Sequence, residues 1–406
     1  MKNGKKLQLL FALVTNFLNF LGFSVIIPII PFLIEKYVPD QNTIAWNVGL
    51  ILSVYALCQF IAAPALGSLS DRYGRKPILL ISLLGSVIGY LLLGFAGTLW
   101  ILFLGRIIDG LTGGNISTVY AYVADITDPK DRGKYFGMLG AAGGFGFMIG
   151  PAVGGFTAHI SLNTPLFLAA AVTFVNLVFG FFVLKESLAE EHKINTITFD
   201  HLNPFGQLKN ILSIKALKSL FIVTFTFFLA LNASFTIYAV FLKDIFNWNP
   251  SQIGILLFFV GVMDIVSQGI LVQALLKKFH ELNITTVGLI LVMIGFAVGS
   301  ITSITPSLIL MGIAIVTINI GDGLFEPTMS GLIANSVDHK TQGRVQGANQ
   351  GIQSIARVVG PLLGAFLYQY WKGLPFASES FLVAIALIIT FVSFNSIKAH
   401  LRTQAA

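Results

Sequence analysis

The chain has 406 residues, 55% of them apolar and only 11% charged, with a mean hydropathy of +0.83. A soluble domain carries about 25% charged residues, so these figures exclude a water-soluble globular protein and define an integral membrane one. The net charge of +7 is spread along the chain and reads as a topology signal, not as a nucleic-acid surface. One cysteine, Cys58, excludes a disulfide framework, and six scattered histidines offer no metal cluster.

Apolar runs of membrane length fall at about 7–34, 47–69, 77–96, 99–124, 133–158, 163–184, 216–242, 250–276, 282–303, 306–335, 343–370 and 376–397. In hydrocarbon every backbone polar group needs an internal partner, so these runs predict an all-α integral membrane protein of twelve transmembrane helices. The first run is no removable leader: it is too long, contains Pro28 and Pro31, and no small-residue cleavage site follows. Positions 67–77 read Gly-Ser-Leu-Ser-Asp-Arg-Tyr-Gly-Arg-Lys-Pro and link the second and third spans. Asp71, Arg72, Arg75 and Lys76 mark that face as cytoplasmic. Gly67 and Gly74 suit a close approach or a positive φ, and Asp71 suits a helix N-terminus.

The stretch 185–219 is the one polar linker, and 204–212 has the pattern of a short amphipathic surface helix. Two six-helix bundles, 1–185 and 216–406, with a cytoplasmic linker at 186–215 are therefore expected. Alternating the spans from an inside N-terminus places twenty of the 25 Lys and Arg residues on the cytoplasmic side. Only Lys36, Lys243 and Lys372 fall outside, which puts both termini in the cytoplasm.

The halves repeat. Asp-Pro-Lys-Asp-Arg-Gly-Lys-Tyr-Phe-Gly at 128–137 matches Asp-His-Lys-Thr-Gln-Gly-Arg-Val-Gln-Gly at 338–347, an offset of 210. At the same offset Gly150, Pro151, Gly154 and Phe156 recur as Gly360, Pro361, Gly364 and Phe366. Spans five and eleven thus correspond and point the same way, the parallel duplication of transporters that bind substrate near the bilayer midplane. Gly146, Gly150, Pro151, Gly154 and Gly155 form the spacing that lets membrane helices approach closely.

Six ionisable residues read as intramembrane: Arg106, Asp109, Asp264, Asp322, Glu326 and Arg357. A charge at a helix centre costs roughly 2.5–3.5 kcal/mol on insertion scales, which points to function or pairing. Arg106 and Asp109 are three apart on one face, so mutual neutralisation accounts for both, beside the function that an intramembrane charge implies. Asp264 has Gln268 one turn on, and Asp322 and Glu326 share a face just ahead of Pro327. Acids so placed are suited to take up and release a proton; a hydrogen bond to an amide or to Arg357 is the structural alternative. Asn16, Asn19, Asn115 and Asn232 are amides that need partners inside a membrane, and with Gln59, Gln268 and Arg357 they are candidates to line a substrate cavity. Tyr55, Phe235, Tyr238 and Phe325 could stack on a flat or cationic substrate, with helix packing as the competing account.

Three stretches carry a family resemblance: 67–77, Leu-Gly-Arg-Ile-Ile-Asp-Gly-Leu-Thr-Gly at 104–113, and Gly-Phe-Met-Ile-Gly-Pro-Ala-Val-Gly-Gly at 146–155. Through them the sequence resembles the major facilitator superfamily, its drug:proton antiporters, and among those the tetracycline/proton antiporters. The resemblance implies that Arg75 pairs with Asp125, that Asp71 caps the eleventh span near Gly343, and that this latch gates transport. It implies a proton-coupling role for Arg106 and an antiport role for 146–155.

Departures accompany the likeness. Asn19 and Gly89 stand where the tetracycline exporters carry Asp, and 284–303 holds no acid where they carry one; Gln59 and Arg106 match. Proton coupling here therefore falls to Asp264, Asp322 or Glu326. The expectation is a proton-coupled exporter of small amphipathic compounds working by alternating access. It would be a monomer in the cell membrane, in contact with lipid, with no enzymatic activity, cofactor, metal or nucleic-acid partner. A lipid or metabolite exporter, a sugar importer, or a non-transporting receptor on the same scaffold are the alternatives.

Overall fold

The computed structural model describes residues 3–194, 196, 215–337 and 341–405, and these are helical with no strand. The first span is α1 (Asn3–Val25) with the short α2 (Ile30–Glu35); α3 (Gln41–Tyr73) and α4 (Arg75–Gly94) follow. The fourth is split into α5 (Leu99–Gly113) and α6 (Ile116–Ile126), ahead of α7 (Arg132–Thr157) and α8 (Thr164–Val183). Next come α9 (Lys215–Phe246), α10 (Pro250–Val266), a π-helical turn (Ser267–Leu271) and α11 (Val272–Leu276). The chain closes with α12 (Glu281–Thr302), α13 (Leu308–Asn335), α14 (Gln342–Tyr368) and α15 (Leu374–Ala405). The patterned stretch 204–212, with Asp338 and Lys340 of the repeat, lies outside the described residues.

Besides the π-helical turn in the eighth, two spans differ from the continuous helices predicted. The first breaks between Val25 and Ile30, where Pro28 lacks an amide donor and tight turns such as Ile29 N to Ile26 O (3.0 Å) take over. The fourth breaks at Gly114 and Asn115, since Gly114 lies so close to α3 that a Cβ there would sit 2.9 Å from the Ala63 nitrogen. Eleven helices among the described residues are each long and apolar enough to cross a membrane; the fourth span crosses in two shorter pieces.

The helices form two compact units that exchange segments. One comprises Met1–Ile44, Val54–Pro204 and Trp248–Gly261; the other comprises Ala45–Ser53, Phe205–Asn247 and Val262–Ala406. In the first, α1 packs on α7 and α8, and α4 on α5 and α8. The start of α10 joins it through Gly254 against Gly155 (3.0 Å to Cα for an added Cβ) and a Ser251 hydroxyl that donates to Gly155 O at 2.8 Å. In the second, α9 packs on α14 and α15, and α12 on α13 and α15. The start of α3 joins it through Gly49, against the Pro361 carbonyl.

The sequence repeat is also a repeat in packing. A Cβ at Gly154 would collide with the Val25 carbonyl oxygen on α1, and one at Gly364 with the Ala233 carbonyl oxygen on α9. Each glycine lets its helix lie directly on a neighbouring backbone, where the dispersion contacts that replace a hydrophobic drive in lipid are strongest. Gly146 and Gly150 meet α1 at Phe17 and Leu21 in the same way.

Candidate functional site

The charged link between the second and third spans is tighter than its sequence suggests. Helix α3 runs on through Gly67 to Tyr73, so the connection is Gly74 alone, at φ 101°, before α4 starts at Arg75. Gly67 needs neither a close approach nor a positive φ: it is helical, and an added Cβ would rest 3.8 Å from Ser117 Oγ. Gly74 needs both, because a Cβ there would strike the Glu186 carboxylate. Glu186 accepts from the amides of Arg75 (2.8 Å) and Lys76 (3.2 Å), satisfying two donors that the start of α4 leaves open. Sequence reasoning missed Glu186, since nothing local ties position 186 to position 75.

Arg75 is 8% exposed and is the hub of this cluster. Its Nη1 reaches Asp71 Oδ1 (2.5 Å) and Ser70 Oγ (2.6 Å), and its Nε reaches Asp125 Oδ2 (3.2 Å). Ser187 Oγ donates to the same Asp125 oxygen at 2.9 Å. Arg72 lies over the Tyr73 ring, 5.2 Å from its centre. Two carboxylates and a hydroxyl thus surround one guanidinium, at the junction of three helices.

Deeper in the same unit, Arg106 and Asp109 are buried and paired at 3.2 Å. The guanidinium lies 5.0 Å from the centre of the Tyr55 ring, and its Nε and Nη2 have no hydrogen-bond partner among the described residues. Tyr55 is enclosed and also meets Phe23 (5.4 Å between centroids). Gln59 donates to Gly113 O at 3.1 Å.

Several cavity candidates turn out to be held between helices. Asn16 donates to Leu139 O at 2.7 Å across the α1–α7 contact and is buried. Asn19 donates to the fully buried Asn115 at 2.8 Å. Asn232 turns back on its own helix, to Phe228 O at 2.7 Å. Phe325 is fully buried, stacked on Phe227 with centroids 3.7 Å apart, so it fills a helix interface. A backbone carbonyl, an amide or a ring supplies one partner in each case, while Asn16 Oδ1 and Asn115 Nδ2 stay buried without a hydrogen-bond partner among the described residues. Phe235 and Tyr238 stay partly exposed on α9, and Tyr238 meets Phe376 edge-on at 5.7 Å.

The acids of the second unit converge. Gln268 lies in the π-helical turn that interrupts the eighth span, and its Nε2 donates to Asp264 Oδ1 at 2.7 Å while lying 3.5 Å from Glu326 Oε2. Asp322, one turn before Glu326, has a buried Oδ1 without a hydrogen-bond partner among the described residues and lies within charge range of Glu326 and Asp264. Arg357 on α14 lies within charge range of Glu326. Gln268 and Asp264 are four apart on one helix face, and the π turn that begins beside Gln268 is a feature frequent at functional sites.

The intramembrane count also needs correction. Glu379 is a seventh ionisable residue, fully buried on α15, with its Oε2 accepting from Ser234 Oγ. It stands near the start of the twelfth apolar run, where a charge reads as interfacial, and the packing of neighbouring helices on α15 encloses it.

A membrane bundle of helices, duplicated in sequence and packing and carrying grouped carboxyls inside its spans, is the scaffold of a secondary transporter. The Major Facilitator Superfamily profile matches residues 12–361, and the chain belongs to that family. It is 33% identical over 395 residues to the class H tetracycline resistance protein of Pasteurella multocida, covering 95% of this chain and 96% of that one. It is 29% identical to multidrug resistance protein 2 of Bacillus subtilis (strain 168), covering 96% of each. The crystal structure of a bacterial homolog of the human lysosomal transporter Spinster shares the fold, with a TM-score of 0.78 at 14% identity over 98% of this chain and 99% of that one.

Proposed function

We propose that this protein exports small amphipathic, cationic compounds from the cell in exchange for external protons, with Asp264, Asp322 and Glu326 as the exchanging group. One observation carries the reading. Asp264 and Glu326 meet at a single amide, Gln268, with Asp322 in charge range of both acids and one guanidinium, Arg357, in charge range of Glu326, which is two negative charges more than the positive charge supplied. Either protons or a cationic substrate can make up that difference, and occupants that compete for the same acids are exchanged. The resistance named for both relatives supports export, as do the glycines of 146–155.

Tetracycline itself is a poorer fit than a cationic amphiphile, because Asn19 and Gly89 replace two acids of the tetracycline exporters. Arg75, held by Asp71 and Asp125, acts as the cytoplasmic latch, and Arg106 with Asp109 as a buried structural pair beside Tyr55. On this reading the protein is a monomer in the cell membrane, with both termini cytoplasmic.

Everted membrane vesicles energised to an acid interior test this reading, with ethidium and tetracycline as probes. Ethidium should accumulate in wild-type vesicles and stop when a protonophore is added. Asp264→Asn should abolish accumulation, and Asp322→Asn and Glu326→Gln should each lower it. Accumulation indifferent to the protonophore, or tetracycline accumulated in preference to ethidium, would overturn it.

A further inference from the structure

The carboxyl enclosed most completely in the second unit lies apart from the exchanging group. Glu379 is 0% exposed; Ser234 on α9 donates to its Oε2, while Oε1 has no hydrogen-bond partner among the described residues. It forms no ion pair there either. The helices against α15 bring few other charges toward it. Helix α9 contributes Tyr238, one turn beyond Ser234 and within charge range of Glu379. Helix α12 has Glu281 as its one ionisable residue, at its far end. Helix α14 offers Arg357, which is in charge range of Glu326, and Tyr368, whose hydroxyl donates to Asp244 at 3.1 Å.

A glutamine would make the same bond to Ser234 without an ionisable group in hydrocarbon, so helix packing alone does not account for a glutamate here. The oxygens gathered at the site are those of Glu379 and Ser234, too few for a hard metal cation, which takes about six or more. A proton needs only one.

We propose that Glu379 is a second proton-exchange site, formed between α9 and α15 and separate from the Asp264–Glu326 group. A proton entering from water adds to Oε1 and neutralises the carboxyl while the Ser234 hydroxyl keeps its bond to Oε2. On release the proton returns to water and the same hydroxyl holds the carboxylate. Tyr238, in charge range of Glu379, is partly exposed on α9. The use of that proton in transport rests on the exchange reading above, but the exchange at Glu379 is measurable without it.

Infrared difference spectra of the purified full chain, stepped from roughly pH 5 to roughly pH 9, observe protonated carboxyls directly. In an Asp264→Asn/Asp322→Asn/Glu326→Gln background one carboxyl band should still titrate. Adding Glu379→Gln should remove it, and Ser234→Ala, which keeps the acid, should shift its frequency. If Glu379→Gln leaves the spectra unchanged, or if the Glu379 band is constant across the range, the proposal is wrong. A second readout separates it from the exchange reading. If Glu379→Gln lowers protonophore-sensitive ethidium accumulation, the proton serves transport; if accumulation is unchanged while Asp264→Asn abolishes it, the coupling role of Glu379 is refuted and the exchange reading stands.

Discussion

Two residues show how local chemistry sets what can be changed. Arg106 and Asp109 neutralise each other with almost no solvent, so removing one leaves a bare charge. Breaking such a buried pair costs about 3–5 kcal/mol. Arg106→Ala should therefore lower the thermal unfolding temperature in detergent sharply, and Arg106→Ala/Asp109→Asn should recover part of the loss; a double variant as unstable as the single one would deny the pairing. Gly74 is the other case. Its φ of 101° and the Glu186 carboxylate behind it predict that Gly74→Ala costs about 1–3 kcal/mol, seen as a lower unfolding temperature, while Gly67→Ala is nearly neutral. The sequence shows both glycines in one motif, but only the backbone tells them apart.

Among the helices, what the sequence revealed was length and repetition. Hydrophobic runs located the spans, because a span must be apolar along its whole length whatever it touches. The breaks at Pro28 and Gly114 were hidden, since each depends on a neighbouring helix or on the turn that the chain finds locally. The same limit explains the amides: Asn16 and Asn115 are polar residues in apolar runs, which is visible, but their partners on α7 and α1 are not. Gly154 and Gly364 repeat in sequence and each lies on a carbonyl of the first helix of its own half. Gly154→Leu and Gly364→Leu should then behave alike, each overpacking its helix pair by about 1–3 kcal/mol or more and reducing the yield of monodisperse protein. One tolerated and the other not would mean that the packing repeat is not an energetic one.

Across the molecule, the basic residues point to an orientation that labelling can test, and the acids suggest a task. Twenty Lys and Arg residues on one side against three on the other predict that a cysteine replacing Thr305, in a Cys58-free chain, reacts with a membrane-impermeant maleimide in intact cells. A cysteine replacing Ala189 should react only after the cells are opened; the reverse pattern would invert the topology. Family and fold were legible because they are written in motifs at 67–77 and 146–155 and in the 210-residue repeat. The acids proposed to exchange protons were legible as individual residues, whereas the meeting of Asp264 and Glu326 at Gln268 and the enclosure of Glu379 beside Ser234 depend on tertiary packing.

The central claim is that these acids trade protons for a cationic substrate, and it is tested most directly in proteoliposomes loaded with a pH-sensitive dye. An ethidium gradient imposed across the membrane should drive protons the opposite way in wild type; the Asp264→Asn protein should show no such counterflow and the Glu326→Gln protein a reduced one. Ethidium that crosses with no opposing proton movement in wild type would contradict the account.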